Sequence, residues 1–570
     1  MVNVKNLFGM AVMATALVGC SSNDNLAPDG KDNVGKIGEA YASFTINLPT
    51  TSGTRADEPG TPSFAEGTAA EYEVKNGTIL IFDNSGNFVE SAELGTMNPW
   101  TKKTDENGVT TAAAATVQLS KVQIGKSYQA LVLLNNNTKT ADQKVTLPSD
   151  GDSYATWSAT AGNAKADKYE KTDGIFMANA PKYVSAKENP TTLVTLNNVY
   201  ASREQAQANP ATVVYVERGL AKVTMEDFAT AYTIADGNTY AGDKVEIKAW
   251  QLDVTNKSTF PVHQTGGLKT AWDQIWNTDR FYDQKSTAFK RVYWGVDPNY
   301  NNSDYLTLAN CQNAFNMITN DKVTGVAGKA HPQYCLENTF DLDNMKQGQT
   351  TRVVFKAVYT PKALKGKTGD DLTFFKIGNN TAIWTKANLE KQIHTVAVTA
   401  MGITTTAEQA KYVVKLDATD NNISGAAGQH LIKAENITYT GDAADNKVDP
   451  TVVNTINEKL GLKEEKGKIT SGIATYLHGE AYYIARVKHF NELTHWNAGQ
   501  AYGSDNAAFL GRYGVLRNNW YDLSVNSISG LGYPEVPEVK PTVPDDENDQ
   551  YINVEVKILS WAKRSQSIDL

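Results

Sequence analysis

A chain of 570 residues is longer than one hydrophobic core usually serves, so two or more domains are expected. Hydrophobic residues make up 41% and charged ones 21%, close to an ordinary soluble protein. A formal net charge of −9, with no basic stripe anywhere, argues against a nucleic-acid partner.

The first twenty residues differ from the rest. Lys5 supplies a positive start, residues 7–18 form an apolar run too short to span a bilayer, and "LVGC" ends at Cys20. That tetrapeptide resembles a bacterial lipobox, in which cleavage precedes the cysteine and the cysteine then carries lipid. The alternative is an ordinary secretory signal with a chance cysteine. A polar tether follows, and then a strand pattern: Ala42, Phe44, Ile46 and Leu48 alternate with Tyr41, Ser43, Thr45 and Asn47. One short loop later Arg55 stands before Ala56 among Thr, Ser, Gly, Asp, Glu and Pro, a composition that stays accessible to proteases.

Most later segments read as strands: 77–83, 127–136, 191–200, 213–228, 244–254, 351–360, 372–377 and 480–490, all rich in β-branched and aromatic residues between Gly, Asn, Asp and Pro turns. Helical pattern is sparse, best at 449–462 and 388–393, so a parallel nucleotide-binding sheet is disfavoured and all-β sandwiches are expected. The small, polar stretch 229–243 marks a domain boundary, and 264–350 reads as a long insertion in the second domain. Cys311 and Cys335 either form one disulfide or are two buried thiols acting as small hydrophobes. Residues 534–550, with four prolines and an acidic excess, read as an extended, poorly folded spacer. Beyond it Ile552, Val554, Val556 and Ile558 alternate with Asn553, Glu555 and Lys557, a terminal amphipathic strand whose phase breaks at Leu559 and Trp561.

No catalytic signature is present: there is no P-loop, GxSxG, HExxH or EF-hand loop, and the spacing of His489 and His495 serves no common metal site. No metal, cofactor or enzymatic activity is expected. Trp496, Trp520 and the many tyrosines offer a sugar-binding face, although aromatics at this density more often fill sandwich cores.

Five stretches together resemble the fimbrillins of the type V pilus of Bacteroidia-class bacteria, within them the major subunit of the short fimbriae: the lipobox, "YASFTINLPTTSGTRAD", "VVYVERGLAKVTM", "YCLENT" at 334–339, and "GVLRNNWYDLSVNSISGLG" followed by the Pro-rich run and "INVEVKILSWAKRSQSIDL". Residues 264–330 and 400–470 match nothing in that family. The resemblance implies two transthyretin-like β-sandwich domains, at 56–230 and 231–533, after a signal peptide (1–19) and a lipidated propeptide (20–55), and before a spacer and donor strand (534–570). It further implies an outer-membrane lipoprotein precursor, cut between Arg55 and Ala56 by an Arg-specific surface protease. Removal of the strand holding Ala42, Phe44, Ile46 and Leu48 opens a groove. A donor strand with Ile552, Val554, Val556, Ile558 and Trp561 then enters from another copy, giving a head-to-tail filament with accessory tip and anchor pilins and with host or bacterial surface ligands. A shaft subunit fits this pattern best, ahead of a surface glycan-binding or adhesive lipoprotein and an accessory pilin near the tip.

Overall fold

The computed structural model describes residues 39–48, 67–95, 101–105, 108–137, 144–162, 174–185, 188–225, 229, 231–268, 281–282, 289–318, 323–325, 331–416, 429–442, 448–489, 509–546 and 552–559. The chain is mainly β-sheet with few helices, as the strand-rich sequence leads one to expect. Nine strands build one N-terminal sheet. In spatial order they are Phe88–Glu93, Gly77–Phe82, Tyr128–Leu134, Met177–Asn179, Thr212–Arg218, Ala40–Leu48, Gly108–Leu119 and Thr101–Asp105, with Val194–Leu196 also paired to Tyr128–Leu134. The sheet closes over itself, because Ala42, Phe44, Ile46, Val117 and Leu119 share one core with Ile79, Ile81, Val132 and Leu134.

The strand expected over 213–228 is broken at Gly219. Thr212–Arg218 stays in the first sheet, whereas Leu220–Met225 enters a second. A Cβ at Gly219 would sit 3.1 Å from the Phe176 ring, so a residue without a side chain lets the backbone pass there. The change of sheet therefore precedes the 229–243 stretch, where Tyr232–Thr233 already pairs with Lys244–Asp253. The second sheet runs Gln333–Leu336, Leu220–Met225, Trp520–Ile528, Ile552–Leu559, and it faces a third made of Tyr232–Thr233, Lys244–Asp253, Arg352–Thr360 and Glu480–Arg486. Val223, Met225, Tyr521, Leu523 and Val554 on one side meet Trp250, Val353, Phe355, Tyr359 and Tyr483 on the other, forming a sandwich core.

Arg352–Thr360 and Glu480–Arg486 are direct neighbours, yet the chain between them makes a long excursion. That segment has its own sheet, ordered Trp384–Thr385, Phe374–Ile377, Ile473–Tyr476, Gln429–His430, and two helices, Lys386–Ala400 and Pro450–Lys459. Its separate core contains Phe375, Leu389, Ile393, Ile456 and Ile473. Both expected helices are present. Asp449 caps the second by accepting from Thr451 N and Val452 N at 2.9 and 3.0 Å, and the first is longer than 388–393 because Thr385 caps it early and the apolar row runs on through Ala397. Sequence reading placed an insertion at 264–350 and missed this excursion.

A buried polar seam joins the first sheet to the second. Glu71 and Lys222 pair at 2.6 Å, Tyr334 Oη donates to Glu71, and Arg218 Nε donates to the Glu71 carbonyl at 2.7 Å. Glu217 accepts from Arg291 Nε at 2.9 Å and contacts His263 Nδ1 at 2.7 Å, while Arg517 Nε donates to Glu337 at 3.2 Å. Asn518, in the left-handed region at φ 58°, accepts from Arg218 Nη1 at 3.2 Å. Three of the stretches that carry the family resemblance, at 213–225, 334–339 and 514–532, thus converge on one cluster of buried, largely paired polar groups, in which His263 Nε2, Arg291 Nη1 and Glu337 Oε1 lack a hydrogen-bond partner among the described residues. Burial is the largest single influence and raises the Glu71 carboxyl, but the Lys222 charge together with the hydrogen bonds from Lys222, Tyr334 and Thr68 N outweighs it and holds the group below its ordinary value. Its contribution to stability is present above about pH 4.5, the unfolded value, and is lost as pH falls through the lowered folded value. Lys222→Ala is expected to destabilise the protein by about 3 kcal/mol in denaturant titrations at neutral pH, since it strands a buried carboxylate. Glu71→Gln is expected to shallow the acid limb of the stability profile.

Candidate strand-exchange site

Ala40–Leu48 is an internal strand with ladders on both edges. On one side nine antiparallel pairs run from Ala40 with Leu119 to Leu48 with Thr111, and on the other four parallel pairs run from Phe44 with Thr212 to Asn47 with Tyr215. Tyr41 and Tyr200 also exchange both backbone hydrogen bonds at 2.8 Å. The alternation read from the sequence is the observed one: Ala42, Phe44 and Ile46 are fully buried and Leu48 is 4% exposed, with Tyr41, Ser43, Thr45 and Asn47 half-buried on the other face. Such a row gains roughly 6–12 kcal/mol of gross burial before ordering entropy is subtracted. Withdrawal of this strand would leave the backbone groups of 111–119 and 212–215 that face it without partners across a gap one strand wide. Cys20, Arg55 and Ala56 lie outside the described residues.

Ile552–Leu559 is a strand too, but in its own sheet. It pairs antiparallel with Trp520–Ile528, from Trp520 with Leu559 to Ile528 with Ile552, with a register shift between Val525 and Ser527. It ends the sheet order, so among the described residues it has a ladder on one edge only. Val554 is 6% exposed in the sandwich core, facing Val525 across the ladder. The side chains of Ile552, Val556 and Ile558, and all of Trp561, lie outside the described residues.

The spacer corrects the sequence reading. Residues 534–546 are docked, with a turn closed by Val543 N donating to the Lys540 carbonyl at 3.1 Å, not poorly folded: Arg352 Nη2 donates to the Pro537 carbonyl at 2.7 Å, Gln347 N to the Val543 carbonyl at 2.9 Å, and Asp545 N to the Met345 carbonyl at 3.1 Å. Val536 and Val539 are buried. Asp545 accepts from Thr350 Oγ1 and Asp546 from Tyr513 Oη, each at 2.8 Å, so the acidic excess that suggested a solvated linker is partly internal. Pro541 presses so closely on Gly348 that a Cβ there would come within 2.8 Å of its Cα. Residues 547–551 alone separate the docked run from the strand, a reach of about 17 Å when extended.

Cys311 and Cys335 are free, buried thiols, which settles the choice against a bridge. Cys311 packs in a small cluster with Val254, Tyr305, Phe315 and Val539, while Cys335 belongs to the sandwich core. Burial pushes the Cys335 thiol up to about 12 and raises Cys311 as well, so neither is a ready nucleophile. Trp520 does not offer a sugar platform. Its ring lies 3.6 Å beneath the Lys222 ammonium and its Nε1 donates to Thr224 Oγ1 at 2.6 Å, inside the seam. Trp496 and His495 lie outside the described residues, and His489 is a buried partner of the Tyr521 hydroxyl at 2.7 Å.

If the first strand is removable, its apolar side chains stabilise only the chain that still carries it. Phe44→Ala is expected to lower the stability of the full-length chain by about 3–5 kcal/mol. A chain starting at Ala56 contains no residue 44, so the comparison of melting curves for the two lengths reports the strand's own contribution.

No curated protein matches the chain. Among solved structures, a protein from Parabacteroides distasonis aligns over 92% of this chain and 99% of its own at 11% identity, with TM-score 0.38. A fimbrial assembly protein from the same organism aligns over 56% of this chain and 81% of its own at 12% identity, with TM-score 0.29. The C-terminally truncated tip fimbrial protein Mfa3 from Porphyromonas gingivalis aligns over 91% and 100% at 11% identity, with TM-score 0.27. These scores are too low to establish a shared fold. The sequence evidence is more specific: residues 474–567, which include the Glu480–Arg486 and Trp520–Ile528 strands, the docked spacer and the terminal strand, match the family model for "Major fimbrial subunit protein type IV, Fimbrillin, C-terminal". In that C-terminal segment the chain is similar to the fimbrillins.

Proposed function

We propose that this chain is a structural subunit of a surface fimbria and that it polymerises by protease-triggered strand exchange. The observation that carries the reading is the contrast between the two terminal strands. Ala40–Leu48 is internal and paired on both edges, whereas Ile552–Leu559 sits at a sheet end with one partner strand. A strand of eight residues moving from that sheet end into a vacated groove of nine would gain a second ladder and refill a row of apolar pockets. Until cleavage the tethered first strand holds its groove at an effective concentration on the order of millimolar, which outcompetes a strand from another molecule. In this reading residues 1–19 are a signal peptide, Cys20 carries lipid to the outer membrane, the Arg55–Ala56 bond is cut by an Arg-specific surface protease, and the two sandwich domains divide at Gly219 rather than at the expected 230, because Leu220–Met225 already belongs to the second. The fimbrillin segment supports a fimbrial surface protein with a structural, non-enzymatic role; the shaft position rests on the coexistence of a cleavable first strand and a terminal donor strand.

The testing experiment is treatment of the purified full-length chain with an Arg-specific protease, followed by electrophoresis without boiling. A ladder of SDS-resistant oligomers whose N-terminus is Ala56 is the expected result. A monomer after complete cleavage at Arg55 would overturn the proposal and favour an adhesive lipoprotein that acts singly.

A further inference from the structure

The excursion between Thr360 and Glu480 carries a cavity that strand exchange does not use. It has a volume of about 540 Å³, within the ordinary range for small-ligand sites, and opens between the end of the Pro450–Lys459 helix, the Lys463–Ser471 hairpin and the turn after Phe374–Ile377. The half-buried indole of Trp384 contributes its apolar surface. Asn379, Asn380, Gln392, Thr470 and Ser471 contribute amides and hydroxyls, with the first four exposed. Two backbone positions keep the walls in place. Gly378 at φ 47° approaches the hairpin so closely that a Cβ would meet Ser471 Oγ at 2.4 Å, and Gly461 at φ 73° turns the chain out of the helix, its carbonyl accepting from Ser471 Oγ at 2.9 Å.

The charge on the lining is of one sign. Lys459 and Lys463 are both exposed on the rim, and among the described residues no carboxylate lines the cavity. The pairing of Lys463 with Ser471 places a cation directly across the hairpin from a hydroxyl-bearing residue of the same lining. An indole face, a set of planar amides and hydroxyls, and ammonium groups without acidic neighbours on the lining are together complementary to a ring with one apolar face, several hydroxyls and a carboxylate. We infer that this cavity is a binding site for an acidic monosaccharide unit, of the sialic or uronic acid class, at the end of a surface glycan. The inference goes beyond assembly: the site lies in the excursion, on elements that belong neither to the groove nor to the donor strand, and its whole lining precedes the fimbrillin-matched segment.

The test uses the monomeric full-length chain, so that it does not depend on fibre formation. Saturation-transfer NMR and calorimetry with N-acetylneuraminic acid, glucuronic acid and glucose are expected to show millimolar binding of the acids and at least tenfold weaker binding of glucose. Lys459→Glu with Lys463→Glu, two exposed changes that leave the module core intact, is expected to remove the preference for the acids. Trp384→Ala is expected to abolish binding of all three, with a circular dichroism spectrum and melting curve checking that the module is folded. Equal binding of glucose and the acids, retention of acid binding in the double lysine variant, or no binding of any sugar by the wild-type chain would each overturn the inference. None of these outcomes affects the protease-triggered ladder, so the two readings fail separately.

Discussion

Arg55→Ala is expected to abolish fibres, leaving a full-length, folded monomer on the cell surface. The reason lies in the environment of the strand just before it. Ala42, Phe44 and Ile46 are fully buried and Leu48 nearly so, in a strand laddered on both sides. A chain that remains tethered rebinds its groove far faster than a second molecule arrives at micromolar concentration. Cutting the loop converts that intramolecular occupant into one that can diffuse away. Charge has no part in the switch, because residues 1–55 carry four cationic and four anionic side chains and the net charge stays at −9 when they leave. Electron microscopy of surface fibres, with N-terminal sequencing of their subunits, is the measurement. Wild-type subunits beginning at Cys20, or fibres of normal length from Arg55→Ala, would remove cleavage from the mechanism. Cys20→Ala, by contrast, is expected to retain protein in the periplasm with no surface fibres.

The second large effect is expected from Val554→Asp. Val554 is 6% exposed in the home sandwich, so a carboxylate there meets an apolar environment in the monomer, and by the exchange reading it meets another in the acceptor groove. Loss of burial together with desolvation is expected to cost about 2–4 kcal/mol in the monomer and to eliminate the SDS-resistant ladder. Lys557→Ala falls in the opposite phase of the alternation and is expected to change stability by less than about 0.5 kcal/mol and to polymerise normally. A ladder of wild-type intensity from Val554→Asp would mean that 552–559 is not the donor. The docked spacer adds a further condition. With 534–546 bonded to the body, only 547–551 is left to bridge to a neighbour unless the docked run peels away, so Asp545→Ala with Asp546→Ala, which removes the acceptors for Thr350 and Tyr513, is expected to loosen the tail. Faster hydrogen exchange in 534–546 would register that change.

Strands and helices were legible wherever one short window contained the signal. The row Ala42, Phe44, Ile46, Leu48 has period two and is buried with period two, since a strand with one core face has no other way to hide its apolar residues. The segments 244–254 and 351–360 were also legible and are observed as Lys244–Asp253 and Arg352–Thr360, though burial alternates over only part of each, as was the helix over 449–462, marked by Asp449 and Pro450 at its start. Gly219 was misread because the residues on both sides are strand formers; only the Phe176 ring passing beneath it, and the two sheets that the flanking segments join, make it a break.

The residues by themselves therefore determined the mainly β character, the apolar rows of the two terminal strands, and the absence of recognisable catalytic motifs. Tertiary structure decided where those strands go. That Ala40–Leu48 is internal and Ile552–Leu559 terminal in its sheet depends on neighbours such as Thr212–Arg218 and Trp520–Ile528, and no local pattern encodes sheet order. Tertiary structure also decided the fate of the spacer. Prolines and carboxylates favour an exposed chain, but Asp545 and Asp546 are held inside by Thr350, Tyr513 and Arg512, which are distant in sequence and offset the cost of taking the carboxylates out of water. Partners of that kind exist only once the fold has brought them together.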